Sequence, residues 1–416
     1  MNLIRPTTTG LVNDLIFWCC ILTGWFLFPI LAIPVLLFVC YRSGSQISSL
    51  QKHLILGLIA LGFGLLGYTC EPGGSLPTDI VRYRIGYEAS EGLDFASIIP
   101  VNYLFNVVNW LLVNHISNNS QAFGLFWCSI AYFFSLLTID GLICKYLQKR
   151  GDLPVIFVFL GLCIIPLTMM TELVKQAVCC SLISYGIVRK LTDKSYGWFF
   201  VLCGLLIHMS SVFIVLIYFF DKKPIYRLRW FILAFCSIFL FMDVFKFIAL
   251  FSSVPLFQFL DIEDKLNAYS DFASFGGSRR YYILFGFYFL QCICCYLWNT
   301  PEVPRENRYV RMLAILSLSV LCLNFSNNHN FARLLFLWFP FQLILLAPLL
   351  DNVRVRIRQN RLLIFALFGS IYFLGNIIMI KASLGNNGYT QKYMNGNLTR
   401  IVTSNVSQYL NFKVSE

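Results

Sequence analysis

Long apolar runs separated by short polar loops dominate the chain. They lie near residues 15–40, 54–68, 120–146, 154–170, 174–190, 231–250, 281–298, 312–326, 332–350 and 362–381, with a further stretch at 197–220. A hydrocarbon core about 30 Å thick is crossed by about 20 apolar residues of helix, and shorter spans are tolerated inside a bundle. Each run therefore predicts a membrane helix. The run at 15–40 is too long for the apolar core of a cleavable leader and lacks a small-residue cleavage site, so it reads as the first span. The expected fold class is all-α, a polytopic membrane helix bundle of about 10–12 transmembrane segments.

Loop charges give the bundle a direction. Residues 41–53 and 145–153 each carry a net +2, which places them in the cytoplasm, while 69–97 carries −3 and faces out. The loops on either side of 197–220 are both basic, so a single crossing there would put one of them outside. A re-entrant pair of short helices that breaks near His208 restores parity. With it, 251–280 (net −1) lies outside, and 299–311 (+1) and 351–361 (+3) lie inside. Non-helical backbone at membrane depth is tolerated only where protein or a wet cavity surrounds it, so this break marks a functional region.

Between 100 and 116 the periodicity changes character. Leu104, Val107, Val108, Leu111 and Leu112 recur at helical spacing, and Asn102, Asn106, Asn109 and Asn114 mark another side. This predicts an interfacial amphipathic helix on the outer leaflet. Residues 1–381 then form one integral membrane domain, with outer loops 69–97 and 251–280, and 382–416 form a polar C-terminal tail.

Composition agrees with this reading. Hydrophobic types make up 58% of the chain and charged types 12%, too few charges to clothe a water-facing surface, which excludes a cytosolic enzyme, a disordered chain and a secreted disulfide scaffold. The net charge of +12 sits in short loops, so it reports topology rather than a nucleic-acid partner. The 15 cysteines lie almost entirely inside apolar runs, as in Cys179-Cys180 and Cys292-x-Cys294-Cys295, where a thiol packs as a small hydrophobe. No zinc pattern, P-loop, dinucleotide fingerprint or Gly-x-Ser-x-Gly elbow is present, and no metal or cofactor is expected.

Polar side chains near membrane depth are the candidates for chemistry, since each is costly to bury there. Glu172, Lys175 and Gln176 stand at the outer end of the 174–190 span at spacings that put them on one helical face, either as a capping ion pair or as part of a site. His208, in Leu206-Ile207-His208-Met209-Ser210-Ser211, is either a helix-to-helix hydrogen bond or an active-site group at the hairpin tip. Asp243 and Lys246 read as an intrahelical pair. His329 and Arg333 belong to an outer turn, and Arg279 and Arg280 sit where the 251–280 loop re-enters the membrane. Guanidinium groups there suit diphosphate oxygens, or equally ordinary lipid phosphates.

These residues occur in a familiar order: Asp79-x-x-x-Tyr83-x-x-x-Tyr87, then Tyr103-Leu104-Phe105-Asn106, Lys175-Gln176-Ala177, His208-Met209-Ser210-Ser211 and Arg333. The order resembles the EpsG and Wzy-like family of bacterial polysaccharide polymerases over roughly residues 50 to 350, with Lys175-Gln176 where the family commonly has Arg-Gln. The resemblance implies a multi-pass protein of the bacterial inner membrane. It would join lipid-linked oligosaccharide units for O-antigen, capsule or exopolysaccharide at the outer face, moving a glycan from undecaprenyl diphosphate to the terminal sugar of an incoming unit. Lipid-linked oligosaccharide, membrane lipids and a chain-length regulator are the implied partners.

In that reading Lys175, Arg333, Arg279 and Arg280 stabilise the departing diphosphate, and His208, or Glu172 or Asp79, accepts the acceptor proton. Gln176, Tyr83, Tyr87 and His329 contact substrate, and Asp79 orients Arg82. Three other classes fit the same pattern: a flippase for the same lipid-linked units, an O-antigen ligase-like transferase, and a structural or sensory membrane protein whose polar sites only join helices. Against the flippase, polar residues concentrate on one side of the chain and no related halves are evident.

Overall fold

The structure, a computed structural model, describes residues 8–42, 47–72, 79–98, 102–147, 153–208, 211, 215, 218–219, 223–244, 247, 279–298, 304–326, 339–350, 355–384 and 392–414. Helices make up nearly all of it: α1 (Thr8–Leu27), α2 (Pro29–Arg42), α3 (Ser49–Tyr68), α4 (Asp79–Glu88), α5 (Tyr103–His115), α6 (Ser120–Tyr146), α7 (Leu153–Ile164), α8 (Leu167–Glu172) and α9 (Val174–Leu191). Then follow α10 (Gly197–Ile207), α11 (Lys223–Arg227), α12 (Arg229–Ser237), α13 (Arg279–Trp298), α14 (Pro304–Asn324), α15 (Phe339–Leu346), α16 (Val355–Leu384), α17 (Leu398–Thr403) and α18 (Val406–Leu410). The fold is all-α, with one two-residue antiparallel bridge between β1 (Cys70–Glu71) and β2 (Lys392–Tyr393).

Three apolar or polar runs read as continuous helices are in fact divided. The run at 15–40 splits at Pro29, which has no N–H to donate, and the run at 154–170 splits because α7 stops at Ile164, ahead of Pro166, whose ring disfavours helical backbone at the preceding residue. Third, Glu172 closes α8 while Lys175 and Gln176 belong to α9, and Leu173 between them leaves the helical region at φ −95°, ψ 48°. The expected common face of Glu172, Lys175 and Gln176 is therefore corrected: they flank a helix break.

The bundle is organised on α6, which packs against α3, α7 and α9. Two glycines set the α3–α6 distance. A methyl on Gly67 would come within 2.6 Å of the Gly124 carbonyl oxygen, so only glycine lets the two backbones touch. On α9, Ser181 shares a 2.8 Å hydrogen bond with Ser135 of α6, which satisfies two hydroxyls in an apolar core.

The two ends of the bundle differ. At one, Lys52 pairs with Asp140, and Lys145 Nζ lies 2.5 Å from the Glu306 carboxylate. At this same end Lys190 bonds the Tyr218 carbonyl and sits 5.4 Å from the Tyr309 ring. The Tyr218 hydroxyl also lies against Gly197, so the stretch 197–218 begins and finishes at one end.

At the other end, residues 392–414, part of the stretch expected as a polar tail, lie over the end of α3. Tyr68 Oη donates to the Leu410 carbonyl (3.0 Å), Gln121 Nε2 donates to Phe412 O (3.0 Å), and the Thr171 and Tyr393 hydroxyls share a hydrogen bond of 2.8 Å.

By length and composition α3 and α6 are long and apolar enough to cross a membrane, and several shorter apolar helices accompany them. Large apolar side chains such as Phe231, Ile283, Leu363 and Ile378 point outward at 67–72% exposure, a surface suited to lipid.

Candidate functional site

Below the C-terminus of α3, the chain builds a cavity from α4, the turn after it, α5 and the first turn of α9. Arg84 makes this arrangement rigid. Its guanidinium is buried and donates to the carbonyls of Cys70 (2.8 Å), Gly67 and Tyr68 (both 3.3 Å), satisfying the open end of α3. Burial pulls the Arg84 guanidinium below its ordinary value, and neighbouring Cys70, Glu71 and Glu88 oppose that shift. The same burial pushes the Cys70 thiol up to about 12.

The turn after α4 is latched to α5. Asn114 Nδ2 donates to Ser90 O (3.1 Å), the Gly92 N–H donates to Asn114 Oδ1 (2.8 Å), and Trp110 Nε1 donates to Leu93 O (2.8 Å). Gly92 has φ +71°, where a side chain would be strained. The asparagine side of α5, expected as the polar side of an interfacial helix, thus faces protein. Asn109 is buried and accepts from Trp127 Nε1 at 2.7 Å, while Leu111 points out.

The resulting cavity has a volume of about 290 Å³ and is lined by Arg82, Tyr83, Gly86, Ser90, Leu93, Ser97, Ile98, Phe105, Asn106, Asn109, Trp110 and Lys175. Lys175 is its electrostatic centre. Its Nζ lies 4.9 Å from the Tyr83 ring centroid and 4.7 Å from that of Phe105. Two aromatic faces hold an ammonium group in place by their quadrupoles, worth about 0.5–1 kcal/mol each where solvent reaches.

Lys175 also occupies the first turn of α9, where the N-cap residue Leu173 provides no side-chain hydrogen bond and no acidic residue is present. A cation at the positive end of a helix dipole is unfavourable by itself. Together the two make a strongly positive corner of the cavity, suited to anionic oxygens.

The other expected site residues fall into distinct places. Asp79 pairs with Arg82, and Tyr83 and Arg82 line the cavity beside Lys175. Tyr87, expected to contact sugar, is 1% exposed; its hydroxyl donates to Ser117 O and its ring packs on Phe123, so it holds the fold and does not line the cavity. Glu172, at the end of α8, lies close enough to Cys70 to help raise its thiol. Gln176 has a buried Oε1 with no hydrogen-bond partner among the described residues.

His208 terminates α10 at φ −147°, ψ 101°, a break at the position the sequence indicated. Antiparallel α10 touches α9 through Gly197 on Gly186 and through Gly204 on Cys179 and Ile183. That register, continued, brings His208 level with residues 175–177. Arg279 and Arg280 open α13; His329, Arg333, Lys246 and residues 251–278 lie outside the described residues.

Asn106 and Asn109 are legible in the sequence only as one side of a helix, and Trp110 and the 90–98 turn carry no signal, because their place in the cavity depends on tertiary contacts. Among the described residues no group of three or more His, Cys, Asp or Glu is placed to hold a metal ion.

An all-helical bundle with an exposed apolar surface and a cationic, aromatic-walled cavity at one end defines the class as a membrane protein. The family model described as EpsG family matches residues 54–394, and the chain belongs to the EpsG family, a Wzy-like polymerase family. The coarse activity is accordingly that of a glycosyltransferase-like polymerase in polysaccharide biosynthesis at a membrane. No curated protein and no solved structure matches the chain.

Proposed function

We propose that this protein polymerises lipid-linked oligosaccharide units at the outer face of the bacterial inner membrane. In this reading it is a multi-pass protein, residues 1–381 form its membrane domain, and α5 lies at the outer interface. The cavity end is outside. Two features support this sidedness: the basic loops at the opposite end, and the return of 197–218 to that same basic end, as a re-entrant pair would.

One observation carries the proposal. Lys175 is clamped between Tyr83 and Phe105 at the positive end of α9, in a cavity that also holds Arg82 and the amide of Asn106. Aromatic faces and amides suit a sugar, and the fixed cation suits the diphosphate that leaves it.

The donor is a glycan on undecaprenyl diphosphate. A hydroxyl oxygen of the incoming unit's terminal sugar attacks the anomeric carbon of that glycan. The bond from this carbon to the diphosphate oxygen breaks, and its electron pair leaves with undecaprenyl diphosphate. Lys175, with Arg82 and the sequence candidates Arg279, Arg280 and Arg333, stabilises the charge that grows on the leaving group. His208 accepts the hydroxyl proton. Tyr83 stacks against sugar, and Gln176 Oε1 accepts from a sugar hydroxyl.

Deleting the gene and resolving the surface polysaccharide on a gel tests the function. Accumulation of single-unit chains is the expected result. Lipid core without glycan would indicate a ligase or flippase, and an unchanged ladder would remove all three readings.

A further inference from the structure

At the end of the bundle opposite the cavity, two guanidinium groups meet on one tyrosine and a third stands beside them. Tyr296 of α13 accepts from Arg229 Nε at 3.3 Å through its hydroxyl, and its ring centroid lies 5.5 Å from Arg311 Cζ. Arg308 stands one turn before Arg311 on the same face of α14. Arg229 is fixed further, since Nη1 donates to Tyr226 O (2.8 Å) and the guanidinium lies 4.1 Å from the Tyr226 ring centroid. The packing of α14 on both α12 and α13 brings Arg229 and Arg311 together on Tyr296, with Arg308 one turn away along α14.

The location follows from Lys190, whose ammonium lies 5.4 Å from the Tyr309 ring between Arg308 and Arg311 in the chain. Lys175 and Lys190 are opposite ends of α9, roughly 22 Å apart along its axis.

Among the described residues no carboxylate pairs with the cluster. The Nε atoms of Arg308 and Arg311 are buried without a hydrogen-bond partner, and neither residue forms an ion pair among the described residues. Among the described residues at this end, Glu306 and Asp140 are engaged by Lys145 and Lys52, and Asp193 is exposed beyond the end of α9. Arginines that merely set topology keep their donors in water. Here one donor of each of Arg308 and Arg311, the Nε, is withdrawn from water near like charge while the half-buried forks stay accessible, an arrangement that a multivalent oxyanion relieves, because a guanidinium fork pairs with two of its oxygens at once.

We propose that Arg229, Arg308 and Arg311 form a phosphate-binding site at the basic end of the bundle. The favoured source is the headgroup of an anionic phospholipid, because Trp230, Phe231 and Leu297 next to the site are half or more exposed and offer an apolar wall to acyl chains. Nothing in the transfer chemistry at the other end requires this site.

The test uses the full chain, purified in detergent and stripped of lipid, with phosphatidylglycerol, phosphatidylcholine and inorganic phosphate as probes. Binding is read by native mass spectrometry and by thermal shift. Phosphatidylglycerol is expected to bind the wild type more tightly than phosphatidylcholine. The R308Q/R311Q double variant should lose roughly thirtyfold in that affinity, about fivefold per arginine. K194Q, an exposed basic residue at the same end, should bind as wild type does.

Single variants R308Q and R311Q, each about fivefold weaker, decide the matter should the double variant not accumulate. Equal thermal shifts with inorganic phosphate would keep the site and make free phosphate its ligand. Equal binding of the two phospholipids with no shift from phosphate, wild-type affinity in the arginine variants, or an equal loss in K194Q would overturn the proposal.

Discussion

Replacing Lys175 by methionine keeps the length of the side chain and removes its charge. Two cation–π contacts are lost, at 4.9 and 4.7 Å from Tyr83 and Phe105, worth about 0.5–1 kcal/mol each. In return an adverse charge leaves the first turn of α9, a relief of about 0.3–1 kcal/mol. The net change in stability should stay within about 1 kcal/mol, a small shift in Tm.

Turnover should respond far more. A unit charge about 4 Å from another, at an effective dielectric near 20, interacts by about 4 kcal/mol. If half of that appears only as charge grows on the diphosphate, K175M loses about 2 kcal/mol of barrier lowering, and up to about 4 if all of it does. This corresponds to a rate loss of roughly 30- to 1000-fold. Lys175→Arg keeps the charge and should remain within about tenfold of wild type. The assay is glycan elongation in vesicles containing the purified protein and a lipid-linked unit, with Tm measured alongside. K175M turnover within about threefold of wild type, at equal Tm, would refute the placement of the leaving group at this cation.

Three further outcomes rest on packing and titration. Gly124→Val should lower Tm by overpacking the α3–α6 contact, costing about 1–3 kcal/mol, because the atom it meets is the backbone oxygen of Gly67. Arg84→Met should destabilise by about 3 kcal/mol by leaving the carbonyls of Gly67, Tyr68 and Cys70 without their donor; the loss should appear in Tm rather than in turnover per folded molecule.

Cys70, held up to about 12 chiefly by burial, should resist maleimide at pH 8 in the folded protein. Because the unfolded thiol ionises near 9.0 while the folded one keeps its proton, its stabilising contribution is full below that pH. It then falls by about 1.4 kcal/mol per pH unit up to the folded value. Denaturant unfolding at pH 8 and 10 checks this, and Cys70→Ala should flatten the difference.

Residue pattern alone reached much of this molecule. Apolar runs announce their helices because each must bury or turn to lipid a long apolar face, and the break at His208 was legible as a polar residue in an apolar stretch. Tyr83, Arg82 and Lys175 could be named as candidates from their order along the chain. Their meeting could not, because it depends on Phe105 and on the α5 asparagines turning inward, and those are tertiary contacts.

Tyr87 shows the converse. It shares the four-residue spacing of Asp79 and Tyr83, yet is buried with its hydroxyl on the Ser117 carbonyl, since spacing gives a helical face but not what covers it. The break at Pro166 carries its own signal in the proline ring, which disfavours helical backbone at Ile165. The break at Leu173 has no such signature, and the two-residue bridge from Cys70–Glu71 to Lys392–Tyr393 is too short for any periodicity to reveal.

Glycan transfer from a lipid diphosphate at the Lys175 cavity can be observed in a single reaction. Its most direct measurement supplies reconstituted protein with a lipid-diphosphate-linked oligosaccharide and follows both products. Glycans should lengthen by whole units, with one undecaprenyl diphosphate released per bond formed. Intact units appearing on the far side of the vesicle without lengthening, or diphosphate release without a new glycosidic bond, would contradict it.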